Sequence, residues 1–197
     1  MTGTLATAPT RADAVVLVLG DSLSAAYGID RDKGWVALLQ RRLAETGRPV
    51  RVINASISGE TTAGGLARLP RLLETHHPTL VLIALGANDG LRGLPLDTLT
   101  GNLGRMIELS RNAGAQVLIA GIRLPPNYGA AYTDAFQAAF REVADAQSVP
   151  LVPRLLNGVS EDRSLMQADE LHPGAEAQPM ILDNVWPVLA PMLPPRG

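Results

Sequence analysis

Ala14-Val15-Val16-Leu17-Val18-Leu19 runs directly into Gly20-Asp21-Ser22-Leu23-Ser24. Six consecutive apolar residues, three of them valine, closed by a glycine, predict a strand buried on both faces, as inside a parallel sheet. Ser22 then falls just past the carboxyl end of that strand, where open α/β sheets gather their chemistry. A serine there is a candidate nucleophile if a base can reach it. Asp169-Glu170-Leu171-His172-Pro173, near the other end of the chain, offers one. Ser, Asp and His, in that chain order, are the side chains of a hydrolytic triad.

Outward from this stretch, strand and helix patterns alternate to the end of the chain. Trp35, Val36, Leu38, Leu39 and Leu43 recur at helical spacing, and Gly47 ends that helix. Residues 50–53 predict a short second strand. Residues 61–75 predict a helix weakened by Gly64, Gly65 and Pro70, and residues 79–85 the clearest buried strand. A helix over 96–112 presents Leu99, Leu103, Met106, Ile107 and Leu109 on one face, and residues 116–120 form strand four. A long helix over 128–147 turns Tyr132, Phe136, Phe140 and Val143 inward. A fifth strand over 149–152 is interrupted by Pro150, and the segment 153–173 is expected to be loop with short helical turns. The last helix spans 174–190, limited by Pro179 and Pro187. Five strands alternating with helices specify an α/β fold: a five-stranded parallel sheet with helices on both faces, a flavodoxin-like three-layer sandwich. Residues 1–13 are expected to be a disordered N-terminal segment ahead of a single domain over 14–197.

The 197 residues are 46% apolar and 18% charged, with a net charge of −2, the composition of a globular domain able to bury a full core. Both signs are interspersed and no basic patch carries aromatics, which argues against nucleic acid as a partner. No apolar run reaches the length of a membrane span. With no cysteine, disulfides, thiolate zinc sites and a cysteine nucleophile are excluded. Residues 1–13 hold no apolar signal-peptide core. The chain is therefore expected in the cytoplasm, or in the periplasm or medium if its numbering begins at a mature form. Oligomeric state is not readable, and a monomer fits the composition.

Three strand ends carry polar residues worth comparing: Gly20-Asp21-Ser22, then Asn54 to Glu60, then Gly86-Ala87-Asn88-Asp89-Gly90. A strand order of 2-1-3-4-5 would bring all three to one rim. Acyl transfer needs a nucleophile, a base, a group that orients the base, and donors for the developing oxyanion. Ser22 can supply the nucleophile, His172 can accept its proton, and Asp169 can hold the other ring nitrogen. Pro173 keeps His172 out of helical geometry, so this stretch should be a turn. The N–H groups of Ser22 and Gly59 and the Asn88 amide are candidate oxyanion donors.

Four blocks, Gly20-Asp21-Ser22-Leu23, Gly59 within Ser58-Gly59-Glu60-Thr61-Thr62, Gly86-Ala87-Asn88-Asp89 and Asp169-x-x-His172, resemble in order those of the SGNH hydrolases, also called the GDSL esterase family. The likeness covers residues 14 to about 190. It is closest to the bacterial multifunctional thioesterase, arylesterase and lysophospholipase group, through GDSLSAAYG (20–28), NASISGET (54–61), GANDGLRG (86–93) and IRLPPNYG (122–129). The resemblance implies Ser22 as nucleophile, His172 as base, Asp169 as its orienter, and Ser22, Gly59 and Asn88 as oxyanion hole. It implies hydrolysis of esters and thioesters with no metal and no cofactor, on small acyl substrates. That group is commonly exported behind a signal peptide, which this chain does not show. No insertion is long enough for a large lid, so an open site is expected. Leu91, Leu94, Ile122 and Leu124 follow strands three and four and are candidates to line an acyl groove.

Other readings stand beside these. Ser22 could serve only as a helix cap, and Asn88-Asp89-Gly90 only as a turn. Asp21 reads as a structural hydrogen-bonder, and His76 and His77 as exposed residues at a helix end. A sugar O-acetyl esterase is an alternative within the same chemistry. From other classes, Asp21, Asp89 and Asp169 could hold Mg²⁺ for phosphoryl hydrolysis, or the fold could bind a ligand without catalysis.

Overall fold

The structure, a computed structural model, describes residues 14–195, so the expected disordered segment 1–13 lies outside the described residues. Strands β1 (Ala14–Gly20), β2 (Val50–Asn54), β3 (Leu80–Ala84), β4 (Gln116–Ala120) and β5 (Leu151–Val152) form one sheet in the order β2-β1-β3-β4-β5. Every pair is parallel, with Val18 opposite Asn54 and Gly20 opposite Ala84. The strand order reverses at β1, which lies between β2 and β3, so the crevice at its carboxyl end is open to loops from both sides. Helix α1 (Trp35–Glu45) packs with α6 (Gln178–Leu189), while α4 (Leu96–Asn112) packs with both α2 (Thr62–His76) and α5 (Ala130–Gln147). A short helix, α3 (Ala87–Leu91), follows β3 directly.

The sheet interior explains why the apolar runs are continuous. Val16 to Leu19, Val81 to Leu85 and Leu118 to Ala120 are completely buried, because helices cover both faces. Trp35, Leu39 and Leu43 form the buried stripe of α1, and Leu99, Leu103, Met106 and Ile107 that of α4.

Helix α2 runs unbroken through Gly64, Gly65 and Pro70, which the sequence flags as helix-weakening. A Pro inside a helix costs about 3 kcal/mol. The buried face of Gly65, Leu69 and Leu73 offsets this, since burying one leucine side chain contributes about 1.5–3 kcal/mol. Gly65 is required by close approach: a Cβ there would lie 2.3 Å from a methyl of Leu85. Helix α5 starts two residues later than its periodicity suggests, behind a 3₁₀ turn over Pro126–Tyr128. Helix α6 is likewise shorter than 174–190, with 3₁₀ turns at Ala175–Ala177 and Ala190–Met192 on either side. It tolerates Pro187 within it and carries Pro179 in its first turn, where the missing N–H is not needed.

Candidate active site

Three side chains from two stretches distant in sequence meet at the carboxyl rim of the sheet. The Ser22 turn is wound tightly by bonds from the N–H groups of Ser24 and Ala25 to the Asp21 carbonyl, 3.1 and 2.9 Å. Asn54, at the end of β2, donates to the Ser24 carbonyl at 2.8 Å and holds this turn from the side. His172 Nε2 lies 2.9 Å from Ser22 Oγ, and His172 Nδ1 lies 2.6 Å from Asp169 Oδ2. The other Asp169 oxygen accepts the N–H groups of Leu171 and His172, both at 3.0 Å. These bonds, the His172 N–H first and its ring second, hold the Asp169 carboxyl down at about 2. The carboxylate therefore stays ionised, facing Nδ1, where it favours the tautomer that leaves Nε2 free to accept a proton. Pro173 closes the turn, and Met166 bridges to it in antiparallel fashion, so Asp169 and His172 sit on a loop as expected.

The residues expected to supply oxyanion donors are tied together by hydrogen bonds at this rim. Among the described residues, the N–H groups of Ser22 and Gly59 have no protein acceptor. Arg92 donates to the Gly59 carbonyl at 2.9 Å and ties this loop to the end of α3. The Asn88 amide donates to the Glu60 carbonyl at 3.0 Å and, more weakly, to Asp21 Oδ2 at 3.4 Å. Asn88 is half-buried and sits on the helical turn α3, where the sequence suggested a plain loop.

Two buried carboxyls support the rim. Asp21 is completely buried, and that burial pushes its carboxyl up to about 7, against bonds from Leu23 N–H and Asn88 and the attraction of His172. Asp89 is also buried and accepts both the N–H, at 2.8 Å, and the hydroxyl of Thr62, locking α3 to the start of α2. Asp21 and Asp89 do not join Asp169 in a cation site. Among the described residues, no three His, Asp or Glu side chains converge to hold a metal. His77 is exposed and His76 half-buried at the far end of α2, away from this rim.

The four apolar groove candidates separate into two pairs. Ile122 and Leu124 are only 4% and 3% exposed and belong to the core, so they offer no open wall. Leu124 packs beside Gly90, where a Cβ would meet both its methyls and the Phe136 ring below 3 Å. Leu91 and Leu94 are half-buried beyond Asn88 and keep surface toward solvent. Two further neighbours escaped the sequence reading. The Tyr27 ring lies against the His172 imidazole with centroids 4.4 Å apart, and Gln167 reaches the Tyr27 carbonyl at 2.8 Å. Tyr27 lies in a quoted block with no chemical signal of its own, and Gln167 has no sequence signal.

The profile of the GDSL-like lipase/acylhydrolase family matches residues 18–178, which includes the nucleophile turn, the Asn88 turn and the histidine loop. The chain belongs to that family. It is 54% identical over 178 residues to the esterase TesA of Pseudomonas aeruginosa, an alignment covering 90% of this chain and 89% of that protein. It is 42% identical over 178 residues to thioesterase 1/protease 1/lysophospholipase L1 of Escherichia coli K12, covering 90% and 84%. A crystal structure of TesA superposes with a TM-score of 0.89 at 54% identity, covering 91% of this chain and 99% of that one. The five-stranded parallel sheet is thus that of the GDSL family. Among the described residues no helix is long and apolar enough to cross a membrane.

Proposed function

We propose that this chain is a serine hydrolase that cleaves carboxylic esters and acyl thioesters through an acyl-enzyme, with residues 14–197 acting as one catalytic domain. Ser22 is the nucleophile, His172 the general base, and Asp169 the group that orients it. The observation that supports this most is the unbroken run of hydrogen bonds from Ser22 Oγ through His172 to Asp169.

In the first step Ser22 Oγ attacks the acyl carbonyl carbon and its proton passes to His172 Nε2. The carbonyl oxygen becomes an oxyanion, received by the N–H groups of Ser22 and Gly59 and by the Asn88 amide. The 3.4 Å bond from Asn88 to Asp21 is the weaker of the two it makes, and is the one an oxyanion would replace. His172 Nε2–H then protonates the departing alcohol or thiol, leaving the acyl group on Ser22. Water enters, gives a proton to Nε2, and attacks the acyl carbon; collapse returns the proton to Ser22 Oγ and releases the acid. No step requires a metal or organic cofactor. The names of the relatives, an esterase and a thioesterase/lysophospholipase, support small acyl esters and thioesters as the substrate class. Leu91 and Leu94 offer apolar surface to an acyl chain.

A panel of nitrophenyl esters of rising chain length, acyl-CoAs, lysophospholipids and acetylated sugars, ranked by kcat/KM, tests this reading. Turnover of the esters and thioesters is expected. Activity confined to acetylated sugars would point to a sugar O-acetyl esterase, and turnover of none of them would refute the assignment.

A further inference from the structure

Ser22 and His172 lie 150 positions apart, and each is carried by a turn and not by a helix or strand. Most of what orders the His172 loop is internal to it: Gln167 N–H to the His172 carbonyl at 2.7 Å, Glu170 N–H to the Gln167 carbonyl at 2.9 Å, and Gly174 N–H to the Leu165 carbonyl at 2.7 Å. Such bonds shape the loop without fixing its distance from the nucleophile. Among the described residues, two hydrogen bonds connect the Ser22 turn, residues 22–28, to the loop over 153–174. One is the Ser22–His172 bond itself and the other runs from Gln167 Nε2 to the Tyr27 carbonyl. The first must break and reform in every turnover, because its proton moves. The second has no part in the chemistry and persists.

The Gln167 side chain is built for this span. Its single NH₂ donates one hydrogen to the Tyr27 carbonyl at 2.8 Å and the other to the Pro173 carbonyl, next to His172, at 3.0 Å. Tyr27 N–H in turn donates to the Ser22 carbonyl at 3.3 Å, so the clamp reaches the nucleophile's own residue through one more bond. Gly28 makes room for it. Its φ is +74°, a region side chains rarely adopt, and a Cβ there would lie 2.1 Å from the Gln167 amide oxygen. The Tyr27 ring forms the wall against which the imidazole rests.

We propose that Gln167 is a positioning residue that sets the Ser22–His172 distance, by clamping the histidine loop to the nucleophile turn through the Tyr27 and Pro173 carbonyls. This rests on Ser22 and His172 being the reacting pair. Glutamate has the right length but brings a carboxylate against two carbonyl oxygens, and asparagine is one methylene too short to bridge them.

The experiment compares Gln167→Glu, Gln167→Ala and Gly28→Ala with the parent and with Ser22→Ala. It measures kcat and KM on a short nitrophenyl ester, the rate of serine phosphonylation, and the folded fraction by circular dichroism. Misplacing a reacting pair by about 1 Å costs on the order of 10²-fold, so kcat and the phosphonylation rate should fall together by about that factor. KM should stay within a few-fold of the parent, and the variants should remain folded. Gly28→Ala should follow in the same direction, by displacing Gln167. Values of kcat within about threefold of the parent in both Gln167 variants would overturn the proposal. So would a loss confined to KM, or one that only tracks the folded fraction. If Ser22→Ala is inert while the Gln167 variants keep their kcat, only the clamp fails. If Ser22→Ala remains active, the assignment of the nucleophile fails first.

Discussion

Replacing Asp21 by asparagine should change how stability depends on pH, by an amount that follows from its burial. The carboxyl is completely buried, and desolvation raises it from the ordinary 3.8 to about 7. Asp89 nearby raises it further, while Leu23 N–H, His172 and Asn88 pull the other way. Between these two values the unfolded chain has lost the proton and the folded chain keeps it. Stability from this group is therefore complete below about pH 4, falls as pH rises toward about 7, and is flat above that. The shift corresponds to a loss on the order of 4 kcal/mol across the window. An asparagine side chain has no proton to lose, so the substitution removes this slope. Its Oδ1 can still accept from Leu23 N–H, but its NH₂ would face the Asn88 amide, a donor against a donor, costing about 1–3 kcal/mol at every pH. Urea denaturation of both proteins at several pH values from about 4 to about 8.5 reads the difference directly, since other titrating groups cancel. The parent should lose stability relative to Asp21→Asn by several kcal/mol as pH rises. A difference constant to within about 1 kcal/mol over that range would refute the reasoning.

Asn88→Ala should lower kcat by about 10²–10³ with KM changed only a few-fold, because a donor aimed at an oxyanion acts in the transition state. Steady-state kinetics normalised to titrated active sites check it, and an unchanged kcat would remove Asn88 from that role. Asp169→Asn should lower kcat by about 10⁴ through the wrong histidine tautomer, measured on the same ester. With its carboxyl held at about 2, Asp169 stays ionised well below neutral pH. Its contribution to stability is present above about 4 and is lost only as pH falls toward 2. Acid denaturation profiles should show that low-pH loss in the parent and not in Asp169→Asn.

The fold was legible wherever burial alone dictated the pattern. β1, β3 and β4 read as continuous apolar runs because helices cover both faces of the sheet, and α4 coincides with its predicted span because its stripe of Leu99, Leu103, Met106 and Ile107 is regular. Helix α3 was missed because Asn88-Asp89-Gly90 are turn formers by local preference. Its geometry is held from outside, by Asp89 accepting from Thr62. Strand β5 shrank from 149–152 to Leu151–Val152, since Pro150 has no N–H to give the sheet. Of the candidate site, Ser22, Asp169 and His172 could be listed from residue type and position, and the assumed strand order, which the sheet shows, brought the loops of Ser22, Gly59 and Asn88 to one rim. Ile122 and Leu124 could not be sorted from Leu91 and Leu94, because apolar residues after a strand look alike until burial is known: Ile122 lies in the core and Leu124 is covered beside Gly90 and the Phe136 ring. Gln167 and Tyr27 act through a side-chain amide and a main-chain carbonyl, contacts that no local pattern encodes.

Mass spectrometry after treatment with a serine-directed organophosphonate tests the central assignment most directly. The account predicts one adduct per chain, on the peptide containing Ser22, with esterase and thioesterase activity lost in step with labelling. It also predicts that Ser22→Ala is folded, unlabelled and slower by about 10⁴–10⁶ in kcat. An adduct on another residue, or near-normal turnover by Ser22→Ala, would contradict it.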